Sequence, residues 1–286
     1  MSTLSAVAPA KINLTLRVLG RRPDGFHDIE SLVARIDLCD QITAAAQEDG
    51  SYALECDDPS LPCDGSNLVL QAARSLARAR GINRGVFIKL SKRIPAGSGL
   101  GGGSSDAATT LRLLNELWGL RLDNTRLAEI AVELGSDVPL FLHGPLTIVR
   151  GRGDKIEDVP QKWQAWAALL FPEIHCSTPA VYAAWDRLTE RPPRPALTDV
   201  LTALRRPADL MERLFNDLEP AALAVVPQLR ALAQQAMAIA GGAVRMSGSG
   251  SALFRLFADR QAAKVFADRV TRELGVPTTV VRVGNT

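Results

Sequence analysis

Apolar and polar residues alternate near the start of the chain. Ile12, Leu14, Leu16 and Val18 interleave with Lys11, Asn13, Thr15 and Arg17, the period of a strand with one apolar and one wet face. Gly20 to Gly25 (GRRPDG) is turn chemistry, and a second extended stretch is predicted over 29–43. The pattern then turns helical. Leu68, Ala72, Leu76 and Ala79 share one face of a helix over 67–80, with Ser66 as its cap and Gly81 as its stop. Further strands are predicted at 86–90, 147–149, 167–171, 243–246, 253–257 and 278–283, and helices at 105–117, 126–134, 207–216, 228–239 and 260–274. Gly135 closes the 126–134 helix, and RPPRP at 191–195 is a connector. Strands and helices mix without the regular alternation of a doubly wound sheet, which predicts two packed α+β units.

Composition narrows the picture. A chain of 286 residues has length for about two domains and can bury cores without disulfide or metal staples. Its 47% hydrophobic and 22% charged residues are ordinary globular usage, which excludes disordered and fibrous classes. The net charge of +2 gives no electrostatic track for nucleic acid. No apolar run approaches the roughly 18 residues of a spanning helix, and the N-terminus lacks a signal-peptide pattern. A cytoplasmic protein without a nucleic-acid or membrane partner is expected. Cys39, Cys56, Cys63 and Cys176 form no C-x-x-C pair, and His27, His143 and His175 no H-x-x-x-H pair. Free thiols and no His/Cys metal site follow.

The strongest chemical signal is PAGSGLGGGSSD at 95–106. It follows a predicted strand and opens a predicted helix. Glycines at 97, 99, 101, 102 and 103 free the backbone to wrap its N–H groups around an anion, and the helix start adds unpaired donors and a positive dipole end. The predicted phosphate contacts are Pro95, Ala96, Gly97, Ser98, Gly99, Leu100, Gly101, Gly102, Gly103, Ser104 and Ser105. Either serine can donate to phosphate or take a Mg²⁺ position. The chain has no Gly-Lys dipeptide, so this is no Walker A loop, and no His-Arg-Asp or Asp-Phe-Gly, so it is no protein kinase. Gly97-x-Gly99-x-x-Gly102 matches a dinucleotide fingerprint only formally, because the acidic residue at the right distance, Asp123, precedes a helical pattern rather than ending a strand. Lys11 and Asn13 share one face of the first strand. A second glycine-serine turn, RMSGSGSA at 245–252, lies between two predicted strands.

Three of these segments resemble the motifs of the GHMP kinases, in the family's order: PAKINL at 9–14, IPAGSGLGGGSSDAA at 94–108 and MSGSGSALF at 246–254. RPDGFHDIESL at 22–32, SDVPLFLHG at 136–144 and FNDLE at 215–219 are similar to the branch of that family whose substrate is 4-diphosphocytidyl-2-C-methyl-D-erythritol. The resemblance implies a two-domain α+β fold with the active site between the domains. The ATP-binding domain, like ribosomal protein S5 domain 2, would span 1–155, and a ferredoxin-like domain 156–286. ATP and Mg²⁺ are implied, with Ser105 a candidate ligand and no other metal site. The implied reaction phosphorylates the substrate's 2-hydroxyl.

Roles follow from the same resemblance. Asp137, between the Gly135 helix stop and Pro139, reads by itself as an ordinary turn aspartate. The family motif makes it the base, although Ser136 stands where alanine is usual. Lys11 becomes its catalytic companion and Asn13 a substrate contact. Phe26 and His27 sit at a turn, where an aromatic beside a histidine suits a flat heterocycle. The resemblance makes Phe26 stack on cytosine and His27 hydrogen-bond to it. Tyr182 is either the opposite stacking partner or a half-buried helical tyrosine. Asn67 lies on the adenine side. Ser247 to Ser251 approaches the substrate or supports the phosphate loop, Asp106 sits near Mg²⁺ or caps its helix, and FNDLE has no assigned chemistry. Two other readings stay open: a kinase for another small alcohol such as homoserine or mevalonate, and a non-catalytic nucleotide- or RNA-binding protein.

Overall fold

The first two strands form one long hairpin in the computed structural model, which describes residues 2–160, 162–204 and 207–284. β1 (Thr3–Arg21) and β2 (His27–Gln47) pair antiparallel from Thr3 with Ala45 to Arg21 with His27. Their turn closes as the Arg22 N–H donates to the Phe26 carbonyl. β2 is the hub. β4 (Gly85–Ser91) pairs with its second half and β5 (Leu146–Gly151) with its first. β3 (Tyr52–Cys56) runs parallel to β4, and β6 (Lys155–Asp158) antiparallel to β5. Three helices pack on this sheet: α1 (Leu68–Arg80), α2 (Gly102–Leu117) and α3 (Asn124–Leu134). Leu70, Leu76, Leu111 and Leu114 meet Ile42 and Ile88 in a closed core. Fully burying each such side chain contributes about 1.5–3 kcal/mol.

The second half builds a smaller antiparallel sheet. β7 (Gln164–Leu170) lies between β10 (Leu253–Phe257) and β11 (Thr278–Gly284), with β9 (Arg245–Met246) outside β10. α4 (Thr178–Asp186), α5 (Leu197–Ala203), α6 (Pro207–Arg213), α7 (Glu219–Val225), α8 (Pro227–Ala240) and α9 (Arg260–Leu274) complete it. The two sheets meet at one pair, Val283 of β11 with Ile36 of β2. A shared core seals that seam: Ile12, Leu14 and Leu32 from the first sheet pack in one cluster with Leu169, Phe254 and Val281 from the second.

Several sequence expectations change. The polar face of β1 is not wet: Lys11, Asn13 and Thr15 are only 5%, 7% and 2% exposed. Two glycine-serine segments cover that face, and alternation cannot show what lies opposite a strand. The cap of α1 is Asn67, which accepts the Val69 N–H, while Ser66 bonds to Asp64. Gly81 is the stop as expected, but Ala79 is exposed. α2 begins at Gly102 rather than 105, because Gly101 takes the left-handed cap position. The helix expected over 207–216 ends at Arg213, and Phe215–Asn216 is a short strand, β8, parallel to β1 at Thr15 and Leu16. The side chains of 207–209 lie outside the described residues. β3, β6, α4, α5 and α7 were not apparent from periodicity, being short.

Candidate active site

The buried face of β1 organises the site. Lys11 Nζ donates to Asn13 Oδ1 at 2.7 Å and to the Gly99 carbonyl at 2.8 Å. Asn13 Nδ2 passes the chain on to Ser31 Oγ at 2.8 Å. Burial pushes the Lys11 ammonium below its usual range, and the charge of Asp137 partly opposes that shift. The Lys11 N–H donates to the Leu100 carbonyl at 2.9 Å, so strand and glycine-rich loop are joined through backbone as well.

That loop has no spare room. Gly99 has φ +81°, and a Cβ there would stand 2.3 Å from the Ser247 carbonyl oxygen. Gly101, at φ +73°, would place one 2.9 Å from the Phe141 ring. Glycine is required at both positions by conformation and by space. The second glycine-serine turn is what Gly99 meets. Ser247 Oγ donates to the Gly99 carbonyl at 3.0 Å, and the Ala252 N–H donates to the Ser98 carbonyl at 3.0 Å.

On one side of the loop is a cavity of about 380 Å³, within the range of small-molecule sites. Of the predicted phosphate contacts, Pro95 to Gly99 and Gly101 to Ser104 line it, as does Asn67. Leu100 and Ser105 do not, both being 0% exposed. Leu100 packs in the seam core, and the Ser105 hydroxyl is buried without a partner. The N–H of Ser105 makes the first bond of α2, to the Gly101 carbonyl. The amides of Gly102, Gly103 and Ser104 are therefore the orphan donors of the helix start, and these three residues line the cavity. The side chain of Asn67 is committed to structure: it caps α1 and donates to the Pro62 carbonyl at 2.8 Å.

A buried ionic strut fixes the start of α2, and sequence reading missed it. Lys92 Nζ donates to Asp106 Oδ2 at 2.7 Å and also to Asp40. Asp40 in turn accepts the Ile94 N–H at 2.9 Å. Burial pushes the Asp106 carboxyl up to about 7, with Lys92 opposing and Asp40 reinforcing the shift. Asp106 Oδ1 is buried without a partner, and Asp106 does not cap α2, whose cap is Gly101. Of the three residues only Asp106, at the end of the glycine-rich loop, stood out in the sequence; Asp40 is one of two aspartates in its stretch, beside Asp37, and carries no mark.

On the other side is a second cavity, of about 260 Å³. Gly97, Gly99 and Gly101 line both cavities. The second also holds Lys11, Asn13, Asp137, Tyr182, Gly248 and Ser249. The backbone beyond Asp137 is pinned as Arg112 donates to the Leu142 carbonyl at 2.6 Å and Arg35 to that of Leu140 at 3.3 Å. Lys11 and Asp137 make no direct ion pair, yet the Asp137 charge acts on both Lys11 and Tyr182. Burial, with Asp137 adding to it, pushes the Tyr182 phenol up to about 12, so it stays protonated.

Tyr182 leads to the hairpin residues. Its ring stacks on His27 with centroids 4.7 Å apart and an interplanar angle of 27°. Phe26, by contrast, is half exposed beside them in the chain, with the Arg152 guanidinium 5.3 Å from its ring centre. FNDLE now has a structural account. Buried Asn216 donates to the carbonyls of Met246 and Gly248 at 2.9 and 2.7 Å, and Glu219 accepts the Met246 N–H at 3.0 Å. Asp217 accepts the Val18 N–H at 3.0 Å and Arg194 Nε at 2.8 Å. The motif ties the second glycine-serine turn to β1.

The family model for the GHMP kinases N terminal domain matches residues 67–145, and that for GHMP kinases C terminal matches 196–276. A 4-diphosphocytidyl-2-C-methyl-D-erythritol kinase from Geobacter sp. (strain M21) is 38% identical over 275 residues, covering 96% of this chain and 97% of the relative. A crystal structure of 4-(cytidine 5'-diphospho)-2C-methyl-D-erythritol kinase superposes with a TM-score of 0.84 at 34% identity, over 99% of this chain and 100% of that one. A homoserine kinase from Cytophaga hutchinsonii ATCC 33406 superposes with a TM-score of 0.71 at 20% identity, over 99% and 94%, a likeness of fold alone.

Proposed function

The chain belongs to the GHMP kinase family, and on that premise we propose that it transfers the terminal phosphoryl group of ATP to the 2-hydroxyl of 4-diphosphocytidyl-2-C-methyl-D-erythritol. The products are ADP and the 2-phosphate, on the non-mevalonate route to isoprenoid precursors. Relatives named for that activity match nearly the whole chain. The observation that carries the mechanism is the pair of cavities sharing Gly97, Gly99 and Gly101, with Lys11 and Asp137 on the acceptor side. Residues 1–155 and 156–286 are the two domains on this reading, and the shared core at their seam supports a site between them.

Phosphoryl transfer needs positioning, charge neutralisation and an acceptor for the hydroxyl proton. The triphosphate lies along the loop, against the orphan amides of Gly102, Gly103 and Ser104, with adenine toward Asn67. Asp137 takes the proton of the attacking hydroxyl. Lys11, held by Asn13 and the Gly99 carbonyl, stabilises charge as it develops on the oxygen. Asn13 orients the hydroxyl, and cytosine sits among Phe26, His27 and Tyr182. The fit for Mg²⁺ is that of a site completed by phosphate. Among the described residues no cluster of three or more His, Cys, Asp or Glu could hold a metal, but Ser105 Oγ and Asp106 Oδ1 are buried oxygens without a partner. Of the two only Asp106 lines the nucleotide cavity, and it is the residue that would hold the ion there. Bound there it supplies neutralisation of the phosphate charge. Among the described residues no helix is long and apolar enough to cross a membrane, and we place the enzyme in the cytoplasm.

³¹P NMR with Mg-ATP and the cytidine substrate tests the proposal. A new phosphomonoester signal appearing with ADP is the expected result. Intact ATP in that mixture, with turnover of homoserine or mevalonate instead, would overturn it.

A further inference from the structure

His27 is held by a residue that neither motif nor resemblance singled out. Its Nε2 lies 2.8 Å from Asp186 Oδ1. The imidazole is nearly enclosed, its side chain 8% exposed, while Asp186 is 29% exposed. Tyr182 stacks on one face, and Trp185 meets the ring edge-on at 5.7 Å and 89°. Tyr182, Trp185 and Asp186 all belong to α4, at positions i, i+3 and i+4, the spacing that puts side chains on one helix face. The Arg191 guanidinium covers the Trp185 ring at 3.8 Å, so Trp185 is itself fixed. One helix of the C-terminal half thus grips a side chain from the N-terminal hairpin in three ways.

The carboxylate has a chemical consequence. An ionised aspartate only accepts hydrogen bonds, so Nε2 must carry the proton. In a neutral imidazole the other nitrogen, Nδ1, is then a lone acceptor, and it is the one polar atom of the ring without a partner in the structure. Cytosine offers an amino donor at N4, where uracil offers a carbonyl acceptor. We propose that Asp186 is a positioning residue for base recognition: it locks His27 in the Nε2–H form, so that Nδ1 accepts from the cytosine amine and faces lone pair to lone pair with uracil. This rests on the proposed cytidine substrate. It makes α4 and the hairpin one recognition unit, assembled only when both halves of the fold are in place.

The free protein and the kinetics test this separately. The chain has three histidines, so ¹⁵N–¹H long-range correlation spectra, recorded as a pH series that separates neutral from charged rings, resolve the tautomer of each, with His27→Gln assigning its own signal. Nε2–H alone is expected for His27 in the wild type, and a mixture of tautomers in Asp186→Ala. That variant is also expected to raise KM for the cytidine substrate by up to about tenfold, the loss of one ordinary hydrogen bond to the base. kcat and KM for ATP stay near wild type, and the preference over the uridine analogue shrinks. Asp186→Glu should restore both tautomer and KM. An unchanged tautomer in Asp186→Ala, or equal losses in KM for ATP and for the cytidine substrate, overturns the inference. If Asp186→Ala does not fold, Asp186→Asn carries the same readouts, because its amide also donates and no longer dictates the tautomer. A wild type that turns over no cytidine substrate overturns the substrate reading, whatever the tautomer shows. Turnover with a free His27 tautomer in the wild type overturns this inference alone.

Discussion

The two cavities that meet at the glycine-rich loop are built in opposite ways. The cavity on the side of Asn67 draws all its lining from residues 61–106: the starts of α1 and α2, the end of β4 and the loops before the two helices. The acceptor cavity draws on residues from Lys11 to Ser249, contributed by β1, the loop, the turn before Pro139, α4 and the second glycine-serine turn. The first uses mainly backbone donors, which any sequence with glycine in the right places can present. The second uses side chains whose environment has to be made by distant segments. Lys11 shows the difference: its buried, depressed ammonium exists only because both glycine-serine segments close over β1. On the proposed reading, local geometry holds the phosphoryl donor and long-range geometry selects the acceptor.

The sharpest way to separate the two cavities is Asp137→Asn. We expect kcat to fall about a thousandfold while calorimetric ATP affinity stays near wild type; parallel loss of both would mean that the cavities are not functionally distinct. Gly99→Ala should instead break the comparison, because Gly99 belongs to both. The left-handed backbone alone costs a non-glycine residue about 1–3 kcal/mol, and the contact with the Ser247 carbonyl adds to it. A lowered melting temperature and weaker binding of both substrates are expected. Asn216→Ala strips two buried carbonyls of their donor and the Leu218 N–H of its acceptor. Denaturant titration should show a loss of about 2 kcal/mol, with KM rising more for the acceptor than for ATP. Glu219→Gln is the gentlest probe. Burial raises the Glu219 carboxyl above its usual range, against the Met246 N–H and two arginines. The folded state therefore holds a proton to higher pH than the unfolded one, and wild-type stability declines as pH rises through that window. The glutamine carbonyl can still accept the Met246 N–H. Melting temperatures of variant and wild type should coincide in acid and diverge in the variant's favour toward neutral pH.

Legibility in the sequence followed the same divide. The glycine-rich loop could be read because its form is written in backbone freedom: glycines between a strand and a helix predict the orphan amides that the start of α2 presents. The two long strands were legible in part, over 11–18 and 29–43 of longer spans, and α9 over its whole length. The polar face of β1 was misread as wet, since alternation shows two faces and not what covers them. β8 was read as the end of a helix because two residues carry no periodicity, and pairing with Thr15 and Leu16 decides their form. Asp186, Asp40 and Lys92 carry no local mark at all. Each is an ordinary surface-type residue until another segment is folded against it.

The sequence by itself determined the glycine-rich loop, its flanking elements, the α+β class and, through its motifs, the family. Tertiary structure alone decided which polar residues are buried, which carboxylate meets which cation, and how α4 reaches the His27 ring. The reason is physical. Dihedral preference and hydrophobic period are properties of neighbours in the chain, whereas desolvation, ion pairing and ring stacking depend on atoms brought within a few ångströms by segments far apart in it.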